Sequence, residues 1–252
     1  MKGDKLSFSS GKLPLAAAVS LSILIQVAGL VLFLDEAVGF DSNEYLALSH
    51  SLYSSGQYSA PEGLNGVGAF QGEAPTRMRQ PFYPILLVLF YWLPGAGVLP
   101  VLILQILLLS ASLVFLYKNA AMILGERFRP WSIMFPALYF PWLLLSTKLL
   151  SEALFTFLMW AAVYSLARFF NSRRKTSLVT AGVLFGLLIL TKSIGLAVLF
   201  LSSISFVFLS GYKKWWGGGN RLVCNVFIRL CGGSSMGRAE LPSDGSSHLP
   251  AV

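Results

Sequence analysis

The longest apolar run of the sequence, Trp131 to Phe170, sets the strongest limit on what this chain can fold into. Its forty residues contain only three charges, at Lys148, Glu152 and Arg168. As one straight helix the run would be about 60 Å long, twice the thickness of the hydrocarbon core of a bilayer. The run therefore predicts two membrane-crossing helices that fold back near Lys148.

Three other apolar segments complete the predicted membrane domain. Thr176 to Tyr212 carries a single charge, Lys192, and predicts a second hairpin for the same reason. Leu13 to Leu34 and Val98 to Tyr117 are each long enough for one crossing. Only 12% of the residues are charged, about half of what soluble domains carry. The predicted fold class is an all-α membrane protein with about six transmembrane helices.

A large loop, residues 35–97, separates the first two predicted spans and contains two short apolar segments. Residues 41–53 have apolar side chains at 45, 48 and 52 and predict an amphipathic interfacial helix with Asp41 as its N-cap and an end at Gly56. Pro81 to Leu93 would reach only about 20 Å as a helix, too short to cross, and Pro81 suits a first helical position. We therefore expect a large outer loop carrying interfacial helices.

Basic residues are distributed unequally between the two sides of the predicted membrane. With a cytoplasmic N-terminus, twelve Lys and Arg residues before the tail lie on the inner side and four on the outer side, as the positive-inside rule requires. The net charge of +8 then reflects topology and indicates no nucleic-acid partner. The sequence predicts a multi-pass protein of the plasma or inner membrane, with its chemistry on the periplasmic or extracellular face. The outer cations are Arg77, Arg79, Lys148 and Lys192.

The charged residues of the outer side each have a structural and a functional interpretation. Asp41 and Glu44 are either a capping box or a base or metal ligand at the membrane boundary. Two arginines, at 77 and 79, either extend to lipid headgroups or bind a lipid phosphate through their forked donors. Lys148 and Glu152, four residues apart, either neutralise each other on one helix face or, as ionisable groups near the membrane, serve a function. Lys192 has no acid near it in the sequence.

Four stretches on this outer side resemble the polyprenyl-phosphate-sugar-dependent glycosyltransferases of the GT-C fold. The similar branch, glycosyltransferase family 39-like, includes protein mannosyltransferases and lipid A aminoarabinose transferases. The resemblance covers roughly residues 13 to 212, and Gln80 and Ser193 depart from it where the family often has proline. The stretches are Asp41–Tyr45 with Leu52–Tyr58 behind it, Arg79–Pro84, Leu150–Phe155 and Gly186–Lys192.

The resemblance implies a hexosyl or pentosyl transferase that moves a sugar from a polyprenyl-phosphate carrier to a protein, lipid or glycan acceptor. It implies that Asp41 is the acidic residue of the first outer loop that is regarded as catalytic in the family. The sequence leaves open whether a divalent cation binds between Asp41 and Glu44. Arg79 and Lys192 are expected to hold the lipid phosphate. The full set of residues expected to bind the substrate is Arg77, Arg79, Lys148, Glu152, Lys192, Glu44 and Tyr83.

The composition changes abruptly at Gly217, where three consecutive glycines open a Gly/Ser-rich tail. We predict a GT-C-like module over residues 1–216 and a disordered or out-of-frame tail over 217–252. Family members are usually longer, so truncation with loss of activity stays open. Two other classes also stay open: an anionic-lipid transporter, which would use the same cations without chemistry, and a non-catalytic membrane fragment or subunit.

Overall fold

The computed structural model describes residues 12–59, 79–92, 97–139 and 145–215, and the regular elements within these ranges are all helical. Short 3-10 turns lie at Leu34–Glu36, Leu89–Trp92 and Glu126–Phe128. The Arg77 prediction and the tail prediction fall outside the described residues. The helices are α1 (Lys12–Leu32), α2 (Phe40–Ser55), α3 (Phe82–Val88), α4 (Leu99–Ile123), α5 (Arg129–Ala137), α6 (Glu152–Ser172), α7 (Lys175–Thr191) and α8 (Gly195–Trp215).

Three of these helices, α1, α4 and α6, are long and apolar enough to cross a membrane. Helices α7 and α8 contribute shorter apolar stretches, and α5 ends at Ala137, one residue after Pro136. The prediction of an all-helical membrane protein is therefore confirmed for the described residues, whereas the count of six spans stays a prediction.

The helix breaks fall where the length argument requires them. Helical structure stops before Lys148 and resumes at Glu152, and α7 ends at Thr191, just before Lys192. The second break is tight, because a Cβ on Gly195 would lie 3.0 Å from backbone atoms of the preceding helix. Both predicted breaks are thus confirmed.

The core forms where α6 packs between α4 and α7. Leu102, Leu158 and Leu188, one from each helix, are almost fully buried there. Helix α2 packs on α3, and α1 packs on α4 and α5. Other faces of the long helices expose large apolar residues. Such faces are expected where a helix is in contact with lipid.

The loop after α1 is fixed to the break before α6 by two hydrogen bonds. The N–H of Leu149 donates to the carbonyl of Ala37 at 2.9 Å, and the Ser42 hydroxyl donates to the carbonyl of Leu149 at 2.9 Å. Chain segments more than a hundred residues apart in sequence are therefore held together, which brings the start of α2 to the start of α6.

The ends of α2 agree with the prediction at one terminus and correct it at the other. The helix ends at Gly56, whose positive φ of 70° suits glycine. Its N-cap is Gly39 rather than Asp41, because the Gly39 N–H donates to the Ser42 hydroxyl and the helix already begins at Phe40. Pro81, similarly, is the N-cap of α3 rather than its first residue. Asp41 is thereby free of a capping role.

Candidate active site

The guanidinium of Arg79 binds both carboxylates at the start of α2. Its Nη2 lies 2.5 Å from Oδ1 of Asp41, and its Nε lies 2.8 Å from Oε2 of Glu44. The side chains of Asp41 and Glu44 differ in exposure, at 49% and 8%. Asp41 is consequently the accessible carboxylate of this cluster, and Glu44 is the buried one.

The charge of Arg79 is stabilised by these contacts. Burial lowers the pKa of the guanidinium, but the hydrogen bonds to Glu44 and Asp41 outweigh that effect and raise the pKa above its ordinary value. Arg79 is therefore a permanent cation held at a fixed position. A fork of this type suits a phosphate oxygen as well as a carboxylate.

Tyr45 lies beneath Arg79 and connects it to the second half of the site. The Arg79 guanidinium carbon is 5.0 Å from the centroid of the Tyr45 ring, within the range of a cation–π contact. The Tyr45 hydroxyl is 3.0 Å from the hydroxyl of Ser151, the residue before α6. Both Tyr45 and Ser151 are buried. The hydrogen bond between them therefore fixes the position of α2 relative to the start of α6.

Tyr83 is buried behind this contact rather than open to solvent. Its ring meets that of Tyr45 edge-on at 4.9 Å, and its hydroxyl donates to Oε1 of Gln105 at 2.9 Å. The Gln105 amide nitrogen in turn donates to the carbonyls of Leu145 and Lys148, at 2.9 and 2.7 Å. Burial raises the pKa of Tyr83 well above its usual value, so the phenol stays a neutral donor. This chain of bonds positions the break before α6.

A second ion pair joins the break after α7 to the start of α6. The ammonium of Lys192 lies 2.6 Å from Oε1 of Glu152, and each side chain is about one-third exposed. The second carboxylate oxygen of Glu152 is buried and has no hydrogen-bond partner among the described residues. The carboxylate therefore retains an unused acceptor beside the Lys192 cation.

The structural interpretation of Lys148 and Glu152, in which the two neutralise each other, is wrong. Lys148 lies in the non-helical break and Glu152 is the first residue of α6, so the four-residue spacing has no helical geometry and the two side chains do not share a face. Within the described ranges, the Lys148 ammonium has no carboxylate within 4.0 Å, and Glu152 binds Lys192 instead.

Several residues of this site were not among the site residues predicted from the sequence. Tyr58 is one: its hydroxyl donates to the carbonyl of Arg79 at 3.0 Å. Burial, with the nearby Tyr45 and Glu44, raises the pKa of Tyr58 to about 12. Gln105 could have been predicted from the sequence, because a polar residue inside an apolar span is costly unless it has hydrogen-bond partners. Ser151 had no such signal.

A divalent cation does not fit between Asp41 and Glu44 in this arrangement. Both carboxylates already bind the Arg79 guanidinium, and a metal ion there would lie beside a permanent positive charge. No group of three or more His, Cys, Asp or Glu residues suited to a metal occurs in the part of the chain that the structure describes.

A family model, dolichyl-phosphate-mannose-protein mannosyltransferase, matches residues 76–226, which is more than half of the chain. The chain belongs to this family. Membership makes it an integral membrane protein of the glycosyltransferase class, of the mannosyltransferase type. The matched region contains Arg79, Glu152 and Lys192, whereas Asp41 and Glu44 precede it. Neither a curated protein nor a solved structure matched the chain.

Proposed function

We propose that the protein transfers a hexosyl or pentosyl group from a polyprenyl-phosphate carrier to a protein, lipid or glycan acceptor on the outer side of the membrane. Family membership supports the reaction class, since the family uses polyprenyl-phosphate-linked donors. The observation that carries the proposal is the contact of Arg79 with Asp41, which places a phosphate-binding fork against an accessible carboxylate.

Asp41 is the base in this proposal. Its exposure, at about half of the side chain, allows an acceptor hydroxyl or amine to reach it, whereas Glu44 is covered. The acceptor atom forms a bond to the anomeric carbon, the bond from that carbon to the phosphate oxygen breaks, and the acceptor proton passes to Asp41. Direct displacement of this kind inverts the anomeric centre. Proton removal by a positioned carboxylate contributes about 10²–10⁴-fold to such rates.

Arg79 and Lys192 stabilise the departing lipid phosphate. Charge grows on the phosphate oxygens as the sugar leaves, and fixed cations at that position lower the barrier. Both cations are bound to carboxylates in this arrangement, so the donor phosphate has to take the place of at least one carboxylate at each. Tyr45, which contacts Arg79 and Ser151, keeps the two ion pairs in one assembly.

The donor phosphate is expected to displace Asp41 rather than Glu44 from Arg79. The exposed carboxylate can be hydrated when it is released, whereas release of the buried one leaves a desolvated charge. Binding of the donor would then free the base at the moment it is needed, while Glu44 keeps the guanidinium in place. Asp41 and Glu44 thus have separate roles, base and anchor.

The test is sugar transfer by membranes supplied with radiolabelled polyprenyl-phosphate sugar, at equal abundance of each protein. Asp41→Asn is expected to lower transfer by at least about 100-fold. Asp35→Asn is the matched control, because Asp35 is an exposed acid of the same loop and has no place in the cluster. Transfer by Asp41→Asn at the rate of the control would remove Asp41 from the mechanism.

A further inference from the structure

A second group of cations lies at the ends of α4 and α6 remote from the candidate site. Lys118 follows Gln105 by thirteen residues along α4, and Arg168 follows Glu152 by sixteen along α6. At 1.5 Å per residue these separations are about 20 Å and about 24 Å. The two cations therefore belong to the opposite end of the helices and take no part in the proposed transfer.

Lys118 and Arg168 share one aromatic ring. The Lys118 ammonium is 5.5 Å from the centroid of Tyr164, and the Arg168 guanidinium carbon is 5.9 Å from the same centroid. Phe115 supports this ring at 5.6 Å, and the Asn119 amide bonds α4 to the Trp160 carbonyl of α6 at 3.1 Å. Two positive charges from different helices therefore both lie within 6 Å of one ring.

Among the described residues, no carboxylate compensates these two charges. The acid nearest to this end of α4 in the sequence, Glu126, is bound to Arg129 at 2.8 Å. Lys118 and Arg168 are both exposed, and like charges in this position repel each other. An anion in contact with both side chains would remove the repulsion and accept hydrogen bonds from the ammonium and the guanidinium.

The surroundings favour a lipid over a soluble anion. Helix α7 begins three residues after α6 ends, and Arg174 and Lys175 add two exposed charges there. The next turns of α7 expose Leu178, Val179 and Val183, at 45%, 66% and 58%. Cations at the end of a membrane helix, followed by an exposed apolar face, match a phosphate headgroup followed by acyl chains.

We infer that the surface formed by Lys118, Arg168 and the Tyr164 ring, which we call the basic cluster, binds the headgroup of an anionic phospholipid. The phosphate accepts from the ammonium of Lys118 and from the guanidinium fork of Arg168, whose flexible side chains both start beside the Tyr164 ring. A zwitterionic lipid is disfavoured, because its own ammonium group would approach the same cations. Occupancy of the basic cluster would stabilise the packing of α4 against α6.

The test is titration of phosphatidylglycerol into the delipidated protein in neutral detergent, with binding followed by native mass spectrometry. The double variant Lys118→Gln/Arg168→Gln is expected to bind about tenfold more weakly, since each basic residue near an anionic lipid contributes several-fold to affinity. Arg174→Gln/Lys175→Gln is the matched control: it removes the same charge from the same end of the helices but leaves the basic cluster intact. Its binding is expected to weaken by less than about threefold.

Three results would overturn the inference: equal weakening in the two double variants, equal binding of phosphatidylcholine by the wild type, or displacement of the lipid by glycerol phosphate at comparable concentration. Because Lys118 and Arg168 are exposed, the lipid-free double variant should melt within about 2 °C of the wild type. If it does not, the single variant Lys118→Gln takes its place, with an expected weakening of about threefold.

Discussion

Glu44 and Asp41 contact the same guanidinium, but removal of Glu44 should affect mainly stability, whereas removal of Asp41 should affect mainly activity. Glu44 is 92% covered and Arg79 is about three-quarters covered, given side-chain exposures of 8% and 25%. Removing one partner of a fully buried pair costs about 3–5 kcal/mol. Because Arg79 keeps Asp41 and some contact with water, we expect Glu44→Gln to lower the free energy of unfolding by about 2 kcal/mol. Asp41→Asn, at a half-exposed position, should cost about 0.5 kcal/mol.

Thermal melting of the purified proteins in detergent measures this difference. At about 2–4 °C per kcal/mol for a chain of this size, Glu44→Gln should melt about 4–8 °C below the wild type and Asp41→Asn about 1–2 °C below it. Sugar transfer, assayed well below both melting temperatures, should show the reverse order. Glu44→Gln keeps part of its activity because Asp41 and Arg79 remain, whereas Asp41→Asn loses the proposed base.

Two outcomes would refute the assignment of separate roles. If the two variants melt at the same temperature, Glu44 is not the anchor that its burial indicates. If Glu44→Gln folds normally and loses transfer completely while Asp41→Asn keeps it, the base is Glu44, and Asp41 serves only to neutralise Arg79.

Three further predictions use other parts of the structure. Tyr83→Phe removes the donor to Gln105 and should destabilise the protein by about 1–2 kcal/mol in the same melting assay; an unchanged melting temperature would mean that this bond is dispensable. Lys192→Gln should raise the donor KM and lower transfer, whereas Lys192→Arg should retain most of it; equal activity of both would exclude a phosphate contact. In a background without native cysteines, an impermeant maleimide added outside should label a cysteine replacing Arg77 but not one replacing Arg174, and the opposite labelling would invert the proposed topology.

Patterns within one helix or one break were predictable from the sequence, because length and hydropathy act locally. The forty-residue run could not remain one helix, and the break indeed precedes Glu152. The amphipathic pattern at 45, 48 and 52 predicted a helix, and Tyr45 and Leu48 are buried on it. The exact N-cap was missed because the Gly39 N–H donates to the Ser42 hydroxyl. Glycine, serine and aspartate are all common at helix N-termini, so the sequence alone did not distinguish Gly39 from Asp41 as the cap.

The pairing of charges required the tertiary structure. Sequence spacing offered Lys148 as the partner of Glu152, yet a break in the helix removes that geometry and Lys192, forty residues away, takes the place. Arg79 meets Asp41 and Glu44 where α3, which begins just after Arg79, packs on α2. Long-range contacts of this kind depend on how helices pack, which no local pattern encodes.

The sequence by itself determined a membrane protein of helices, the positions of two helix breaks and the residues that carry charge near them, because the bilayer excludes charge and limits helix length. The tertiary structure alone decided which acid binds which base, and which of two neighbouring carboxylates is covered. The physical reason is that an ion pair depends on distance and desolvation, and both are fixed only when α2, α6 and the break after α7 are packed together.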